Sequence, residues 1–233
     1  MKRKAVCVCA CLLLAGIACA DDPAPIVWFT MDEVAEAGGV RKIADASGNG
    51  RDLTLGGGCW LTNGTGRAST LFFNGTTAAF GTFASPKMDS RTVSMLFRKE
   101  LDNGPQYEPG TNTYPYILSA LSKQMRIHTG TIPNATTGYD IYSVYAMSES
   151  SNPIINGQPM MLRAEWHHLA WTYEQTPTEN ESVPNEVTAV CRFYRDGFLV
   201  LTSSVRTYTN TSVAATAMLG NEEGTARGRP IHG

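Results

Sequence analysis

The side chains best suited to acid–base chemistry in this 233-residue chain are its 21 carboxylates, and their spacing predicts no catalytic pair. The residues of Asp32-Glu33 and of Glu222-Glu223 are adjacent, so on strands the two carboxylates of each pair would point to opposite faces. Glu179 and Glu181 share a parity, but they lie in a Pro-flanked segment that is typical of solvated loop acids. We therefore expect no catalytic residues.

Two of the four histidines, His167 and His168, are neighbours in the sequence. On a strand their rings would point to opposite faces, so they could not share one metal ion. The chain has no C-x-x-C or H-x-x-x-H spacing and no Ser in a G-x-S-x-G setting. The pattern favours structural histidines, one ring inside the fold and one exposed.

Residues 165–201 predict a hairpin of two half-buried strands. In the first strand the inward and outward faces alternate, with His167, Leu169, Trp171 and Tyr173 on one face and Trp166, His168, Ala170 and Thr172 on the other. Asp196-Gly197 supplies the positive φ that a tight turn needs. Apolar residues alternate on both sides of that turn: Val187, Ala189, Cys191 and Phe193 before it, and Phe198, Val200 and Thr202 after it.

The two runs WHHLAWTYE and FYRDGFLV resemble the laminin-G-like jelly-roll family of the concanavalin A-like lectin/glucanase superfamily. The opening WFTMDE at 28–33, the turn DASGNGRD at 45–52 and the strand end TLFFNG at 70–75 agree with it in order. The resemblance implies an all-β fold, an antiparallel β-sandwich of jelly-roll type, over residues 21–233. Together with the period-2 patterns it predicts that Leu169, Trp171, Phe193 and Phe72 are buried between the sheets. It also implies binding of glycans or other proteins, while the E-x-D-x-x-E strand of the superfamily's retaining glycosidases is absent.

The family pattern continues beyond Gly220-Asn221 into a closing strand, and no such strand precedes Gly233. We therefore expect a domain that lacks its C-terminal strand and belongs to a longer multidomain chain. A sandwich without that strand would leave a neighbouring edge unpaired. The expected neighbour is a first strand at residues 26–31.

Jelly-roll domains commonly hold one structural calcium ion, and oxygen ligands suit that ion. The resemblance thus makes Asp32, Asp45 and Asn49 the candidate metal ligands. The alternative is an Asx turn, in which the Asp45 carboxylate binds backbone N–H groups around Ser47. The turn composition favours the Asx turn over calcium.

Exposed aromatic rings could form a platform for sugars. Tyr107, Tyr114 and Tyr116 lie in or beside a Pro/Gly-rich segment and are the candidate ligand-binding residues. The segments 102–114 and 174–185 are long polar connections, which we expect at the rim of the sandwich, where binding loops usually lie.

The N-terminus predicts a secretory signal peptide at residues 1–20, with Lys2–Lys4 as the basic region and Ala18-Cys19-Ala20 as the cleavage pattern. A lipoprotein anchor at Cys19 is the weaker alternative, because Gly16 stands where a lipobox has Leu. Removing the signal takes three of the 19 basic residues, leaving 16 against 21 acidic residues and a net charge of −5. This charge, with no basic run, argues against nucleic acid. No second apolar run predicts a transmembrane helix, and we expect a secreted or cell-surface location.

Cys59 and Cys191 remain after processing. In an oxidising compartment they could form a disulfide, or they could both be buried thiols. Both alternatives stay open from the sequence. Five N-x-S/T sequons, which matter only in a host that glycosylates Asn, occur at Asn63, Asn74, Asn134, Asn180 and Asn210.

The sequence therefore predicts a secreted or cell-surface, non-catalytic binding module for carbohydrate or a protein surface. One alternative is a divergent glycoside hydrolase or lyase, which requires a cleft with two carboxyl groups about 5–10 Å apart. The other is a structural spacer in a larger surface protein, which would have neither a cleft nor an aromatic platform.

Overall fold

The structure is a computed structural model that describes residues 25–63, 69–76, 78–86, 90–98, 116–120, 125–129, 139–146, 155–162, 165–210 and 214–221. The predicted signal peptide, Tyr107, Tyr114 and everything after Asn221 lie outside these ranges. The described residues form sixteen strands and no helix. None of them belongs to a helix that could cross a membrane. This confirms the predicted all-β fold class.

The strands, in chain order, are β1 (Ala35–Ala37), β2 (Val40–Ile43), β3 (Leu53–Leu55), β4 (Cys59–Thr62), β5 (Thr70–Phe73), β6 (Gly81–Ser85), β7 (Arg91–Phe97), β8 (Tyr116–Ala120), β9 (Met125–Thr129), β10 (Tyr139–Ala146), β11 (Ile155–Leu162), β12 (His167–Pro177), β13 (Glu186–Arg195), β14 (Phe198–Thr202), β15 (Arg206–Thr209) and β16 (Ala215–Leu219). All described pairings are antiparallel.

Two large sheets face each other across one core. The first has nine strands in the order β1-β2-β3-β6-β16-β8-β9-β10-β11. The second has five, in the order β14-β13-β12-β7, with β15 also paired to β13. A separate two-stranded sheet joins β4 and β5. Buried residues of both large sheets belong to a single hydrophobic cluster, which makes the arrangement a sandwich.

The core confirms the period-2 patterns of β12 and β13. Leu169, Trp171 and Phe193 are buried, and the Trp171 and Phe193 rings lie 5.1 Å apart between centroids. The expectation that Phe72 is buried is wrong, because its neighbour Phe73 takes the inward position and Phe72 is only half-buried. In β5 three consecutive residues are apolar, so the sequence has no alternation of polar and apolar residues from which the buried face could be predicted.

The β13–β14 connection confirms the predicted tight turn, with φ of 52° at Asp196 and 84° at Gly197. Positive φ at both central residues is the signature of a type I′ turn. The expected half-burial of the returning strand is wrong for Phe198, Val200 and Thr202, which are all exposed. Only Leu201 of β14 packs against the core, because β14 pairs with β13 alone among the described residues.

The strand expected at residues 26–31 is not present. Met31 has a φ of 59°, which interrupts an extended chain. The segment is held instead by hydrogen bonds to the 45–49 turn: the Trp28 carbonyl accepts from Ala46 N (2.8 Å), and the Ile26 carbonyl accepts from Ser47 Oγ (3.2 Å). The chain enters the nine-stranded sheet only at β1.

Candidate functional site

A groove with both polar and apolar lining lies at one end of the five-stranded sheet, with a volume of about 580 Å³. Its walls come from the end of β12, the connection 178–185, the start of β13 and the residue after β15. The lining residues are Gln175, Pro177, Thr178, Asn180, Glu181, Val183, Pro184, Asn185, Glu186, Val187 and Asn210. This is the predicted 174–185 rim connection, so the groove occurs where a binding loop was expected.

The connection is folded by its own main-chain hydrogen bonds. Thr178 N donates to the Glu186 carbonyl (2.9 Å), Glu186 N to the Val183 carbonyl (3.2 Å), and Val183 N to the Asn180 carbonyl (3.1 Å). Asn185 adopts a φ of 62°, which Asn tolerates better than most residues. The groove wall is therefore a compact turn structure.

Side-chain hydrogen bonds then set the polar groups of the groove. The Glu186 carboxylate accepts from Thr178 Oγ1 (2.7 Å) and Asn180 Nδ2 (3.1 Å). On the other wall, buried Asn210 donates from Nδ2 to Gln175 Oε1 (3.1 Å). Amide and carboxylate groups with donors and acceptors held in place are what orient a polar ligand in a pocket.

The three tyrosines predicted as ligands lie where the structure describes no side chain. Tyr107 and Tyr114 are outside the described ranges, and of Tyr116, the first residue of β8, only the backbone is described. Their role in binding stays a prediction. The sequence missed Gln175, Glu186 and Asn210 as candidates, because only the pairing of β13 with both β12 and β15 brings them together.

A second surface feature is an aromatic pair on the β4–β5 hairpin. Trp60 and Phe72 are directly opposite in the antiparallel register, and their ring centroids are 5.0 Å apart at 48°. Trp60 is 43% exposed. Cross-strand aromatic pairs stabilise hairpins, and that role accounts for this one.

The two histidines confirm the opposite-face expectation. His167 is buried and its Nδ1 lies 2.8 Å from Asp196 Oδ2. His168 is on the other face, where its Nε2 lies 2.8 Å from Ser94 Oγ. In a Ser-His-Asp triad one imidazole ring contacts the serine through one nitrogen and the carboxylate through its other nitrogen. Asp196 contacts the other ring and binds His168 through the main-chain N–H (2.9 Å), so these side chains form no triad.

The carboxylate of Asp45 is the centre of an Asx turn, as the favoured alternative predicted. Its Oδ1 accepts from Ser47 N (3.0 Å) and Trp28 N (3.0 Å), and its Oδ2 from Arg51 N (3.1 Å). Desolvation acts to raise the pKa of Asp45, but the hydrogen bonds from Ser47 and from the backbone N–H groups of Trp28 and Arg51 outweigh it and lower the pKa to about 2.

Calcium binding by Asp32, Asp45 and Asn49 remains a proposal, and the contacts of these three residues do not favour it. Asp45 already accepts three backbone N–H groups, while Asp32 and Asn49 are exposed. Asn49 donates from Nδ2 to the Ile26 carbonyl (3.1 Å). Within the described ranges no group of three or more His, Cys, Asp or Glu residues is arranged to hold a metal ion.

Cys59 and Cys191 are both free, buried thiols in the structure, as in the second of the two alternatives for this pair. Cys59 Sγ lies 3.2 Å from the Gly56 carbonyl and 3.3 Å from the Phe80 carbonyl, at the edge of the β4–β5 hairpin. Burial raises the pKa of both thiols, for Cys191 to about 12. The protonated thiols are therefore unreactive at neutral pH.

Comparison with known proteins gives one structural likeness. No protein-family profile and no curated protein sequence match this chain. A similar solved structure is the binding domain of Paraclostridial Mosquitocidal Protein 1, with a TM-score of 0.46 and 14% sequence identity. The match covers 86% of this chain and 44% of that one, so the chain spans less than half of its structural neighbour. A likeness of this degree carries no conclusion about family, ligand or activity.

Proposed function

We propose that this chain is a non-catalytic binding module that recognises carbohydrate through the groove beside residues 178–185. The observation that carries the proposal is the lining itself, in which amide, hydroxyl and carboxylate groups from two strands and two connections converge on a groove of about 580 Å³. Sugar hydroxyls both donate and accept hydrogen bonds, and Asn, Gln and Glu side chains match them in both roles. Secretion through residues 1–20 and membership of a longer chain are part of the same proposal.

The polar groups of the groove are already positioned before any ligand binds. Glu186 fixes Asn180, and Asn210 fixes Gln175, so the ligand need not order these four side chains. Positioning of this kind lowers the entropic cost of binding. Pro177, Val183 and Pro184 add an apolar surface against which the C–H face of a sugar ring can pack.

The test is a glycan array with residues 21–233, followed by calorimetry on the best glycan. Asn180→Ala should weaken binding by about 5- to 30-fold, since it removes a polar contact worth about 1–2 kcal/mol. Asn63→Ala is the matched control, because Asn63 is also an exposed asparagine of a sequon but lies outside the groove. Equal affinity of the two variants would overturn the groove as the site, and Trp60→Ala would show whether the aromatic pair binds instead.

The same preparation tests the hydrolase alternative. Glu181 and Glu186 both line the groove, so a hydrolytic site would have to use them. We expect no release of reducing sugar from any glycan that binds. Release that is abolished by Glu181→Gln or Glu186→Gln, with binding retained, would make this protein an enzyme.

A further inference from the structure

The charged side chains that line the groove are all of one sign. Of the described residues in its lining, Glu181 and Glu186 are acidic, and none is Lys, Arg or His. Glu181 is exposed in the connection, and Glu186 is half-buried at the start of β13. A concave site lined by charges of one sign attracts ligands of the opposite sign and repels those of the same sign. The two carboxylates therefore bear on which ligands enter the groove.

The described cations of the neighbouring strands do not neutralise these two carboxylates. Arg192 of β13 forms an ion pair with Glu174. Arg206 of β15 pairs with Ala189, three residues along β13 from Glu186, which is roughly 10 Å along the strand. Neither arginine is among the residues that line the groove. Within the described part of the chain, the groove thus keeps its negative charge.

The hydrogen bonds of Glu186 leave one of its oxygens available to a ligand. Thr178 Oγ1 and Asn180 Nδ2 both donate to Oε2, at 2.7 Å and 3.1 Å. Among the described residues no side chain donates to Oε1, and the Glu181 carboxylate has no partner either. The hydroxyl proton of Thr178 is already directed to Glu186. The groove therefore presents charged acceptors that lack donors.

We infer that the groove selects oligosaccharides with free amino groups, such as glucosamine units, over neutral ones, and excludes those with carboxylate or sulfate groups. This inference rests on the proposed carbohydrate-binding function and adds the charge class of the ligand. A protonated amine has three N–H donors and no acceptor, which matches the open oxygens of Glu181 and Glu186. Hydrogen bonds between two charged groups are also stronger than neutral ones.

The size and the apolar part of the groove suit a short oligosaccharide of this kind. Its volume of about 580 Å³ lies within the roughly 300–1,000 Å³ that is common for small-ligand sites. An amino sugar keeps the C–H face that packs on Pro177, Val183 and Pro184. Acetylation of the amino group removes the positive charge, and a uronic acid or a sulfate brings a like charge beside the two carboxylates. Charge thus separates sugars that have nearly the same shape.

Calorimetry on residues 21–233 with short oligosaccharides of equal length tests the inference. The first three probes are β-linked oligomers of glucosamine, N-acetylglucosamine and glucose, which differ only at carbon 2, and the fourth is an oligomer of galacturonate. At about pH 5.5, glucosamine is protonated and Glu side chains in peptides are ionised. The glucosamine oligomer should bind about fivefold or more tightly than the neutral oligomers at low salt, and the galacturonate oligomer should not bind. Added salt should reduce the preference, because it screens exposed charges.

Two variants distinguish the groove carboxylates from the general charge of the surface. Glu181→Gln should lower the preference for the glucosamine oligomer about threefold or more, with little change in the affinity for the neutral oligomers. Glu179→Gln is the matched control, since Glu179 is an exposed carboxylate of the same connection that does not line the groove. Circular dichroism of each variant establishes that it is folded.

The outcomes separate this inference from the proposed function. A neutral or acidic oligomer that binds as tightly as the glucosamine oligomer overturns the inference and leaves carbohydrate binding in place, as does a Glu181→Gln variant that behaves like Glu179→Gln. Absence of binding to every oligomer overturns the proposed function, and this inference with it. Trilysine that binds as tightly as the glucosamine oligomer would assign the groove to a basic peptide and overturn the amino sugar as its ligand.

Discussion

The carboxylate of Asp196 ties the turn of one hairpin to the first residues of the neighbouring strand. Its Oδ2 lies 2.8 Å from Nδ1 of His167, and its Oδ1 accepts the main-chain N–H of His168 at 2.9 Å. The Asp196 N–H in turn donates to the His168 carbonyl at 2.8 Å. Asp196, a residue at positive φ, therefore connects the end of β13 to the beginning of β12 by three hydrogen bonds.

This contact predicts an acid-dependent loss of stability. Burial acts to raise the pKa of Asp196, but the His167 hydrogen bond, the His168 N–H and nearby cations lower it below its usual value. The ionised carboxylate thus contributes stability that is present above its unfolded pKa of about 4 and lost as the pH falls through the lower folded pKa. Asp196→Asn should lower the free energy of unfolding at pH 7 by about 1–2 kcal/mol, with the difference shrinking in acid.

Urea denaturation between pH 7 and pH 2 measures the Asp196 effect. Asn tolerates positive φ, so the variant changes the charge with little backbone strain. Glu36→Gln on β1 is the control, since it removes a carboxylate from an exposed strand. A constant difference between wild type and Asp196→Asn across this range would contradict the linkage.

Asp45 gives a second prediction, at lower pH. Its pKa of about 2 means that its three backbone hydrogen bonds persist in mild acid. Asp45→Asn should cost about 1–3 kcal/mol of stability above about pH 4, because an amide nitrogen cannot accept those bonds. The cost should diminish as the pH approaches 2. A Glu33→Gln variant without effect at any pH would show that the loss is specific to the turn.

Removal of divalent ions tests the calcium expectation. With the Asp45 carboxylate occupied by N–H donors, we expect EDTA to leave the melting temperature unchanged. The measurement is a pair of thermal melts in EDTA and in excess calcium. A lower melting temperature in EDTA, absent in Asp45→Ala, would establish a calcium site.

Two phenylalanines of one hairpin should differ sharply in their contribution to stability. Phe193 is fully buried against Trp171, so Phe193→Ala should cost about 3–5 kcal/mol. Phe198 is exposed on the next strand, so Phe198→Ala should stay within about 0.5 kcal/mol of wild type. Urea denaturation midpoints of the two variants and the wild type provide the comparison. Similar costs for the two would place the core elsewhere.

Both cysteine thiols should react slowly with a thiol reagent in the folded protein. Cys59 and Cys191 are buried with raised pKa values, so a thiol reagent should modify neither in folded protein made as residues 21–233. In denaturant without reductant we expect both to react. A count of zero thiols after denaturation would mean that the two residues form a disulfide.

The sequence predicted those elements whose information is local. Polar and apolar residues alternate clearly in β12 and β13, and Asp196-Gly197 is itself a turn signal, so this hairpin followed from the pattern alone. In β5 the run Leu71-Phe72-Phe73 is apolar throughout, so only tertiary packing chose Phe73 for the core. At 26–31 the apolar residues predicted a strand, but side-chain hydrogen bonds from the 45–49 turn hold the chain in another form.

Only the local part of the candidate groove could be predicted from the sequence. The length and polarity of residues 174–185 indicated a rim connection, which is where the groove lies. The partnership of Gln175 with Asn210 joins residues 35 positions apart and depends on β15 lying beside β13. No periodicity in the sequence marks Asn210 as part of that wall.

The buried position of Asn210 has a consequence for producing the protein. Asn210-Thr211-Ser212 is an N-x-S/T sequon, and the Asn210 amide nitrogen donates to Gln175 inside the fold. A eukaryotic secretory host that attached a glycan there during synthesis would leave a bulky sugar where β15 must meet the groove. Material from such a host and material from bacteria would then be different molecules. Recombinant work should therefore use a host without N-glycosylation, or remove the acceptor signal by Ser212→Ala, which keeps the Asn210 side chain itself.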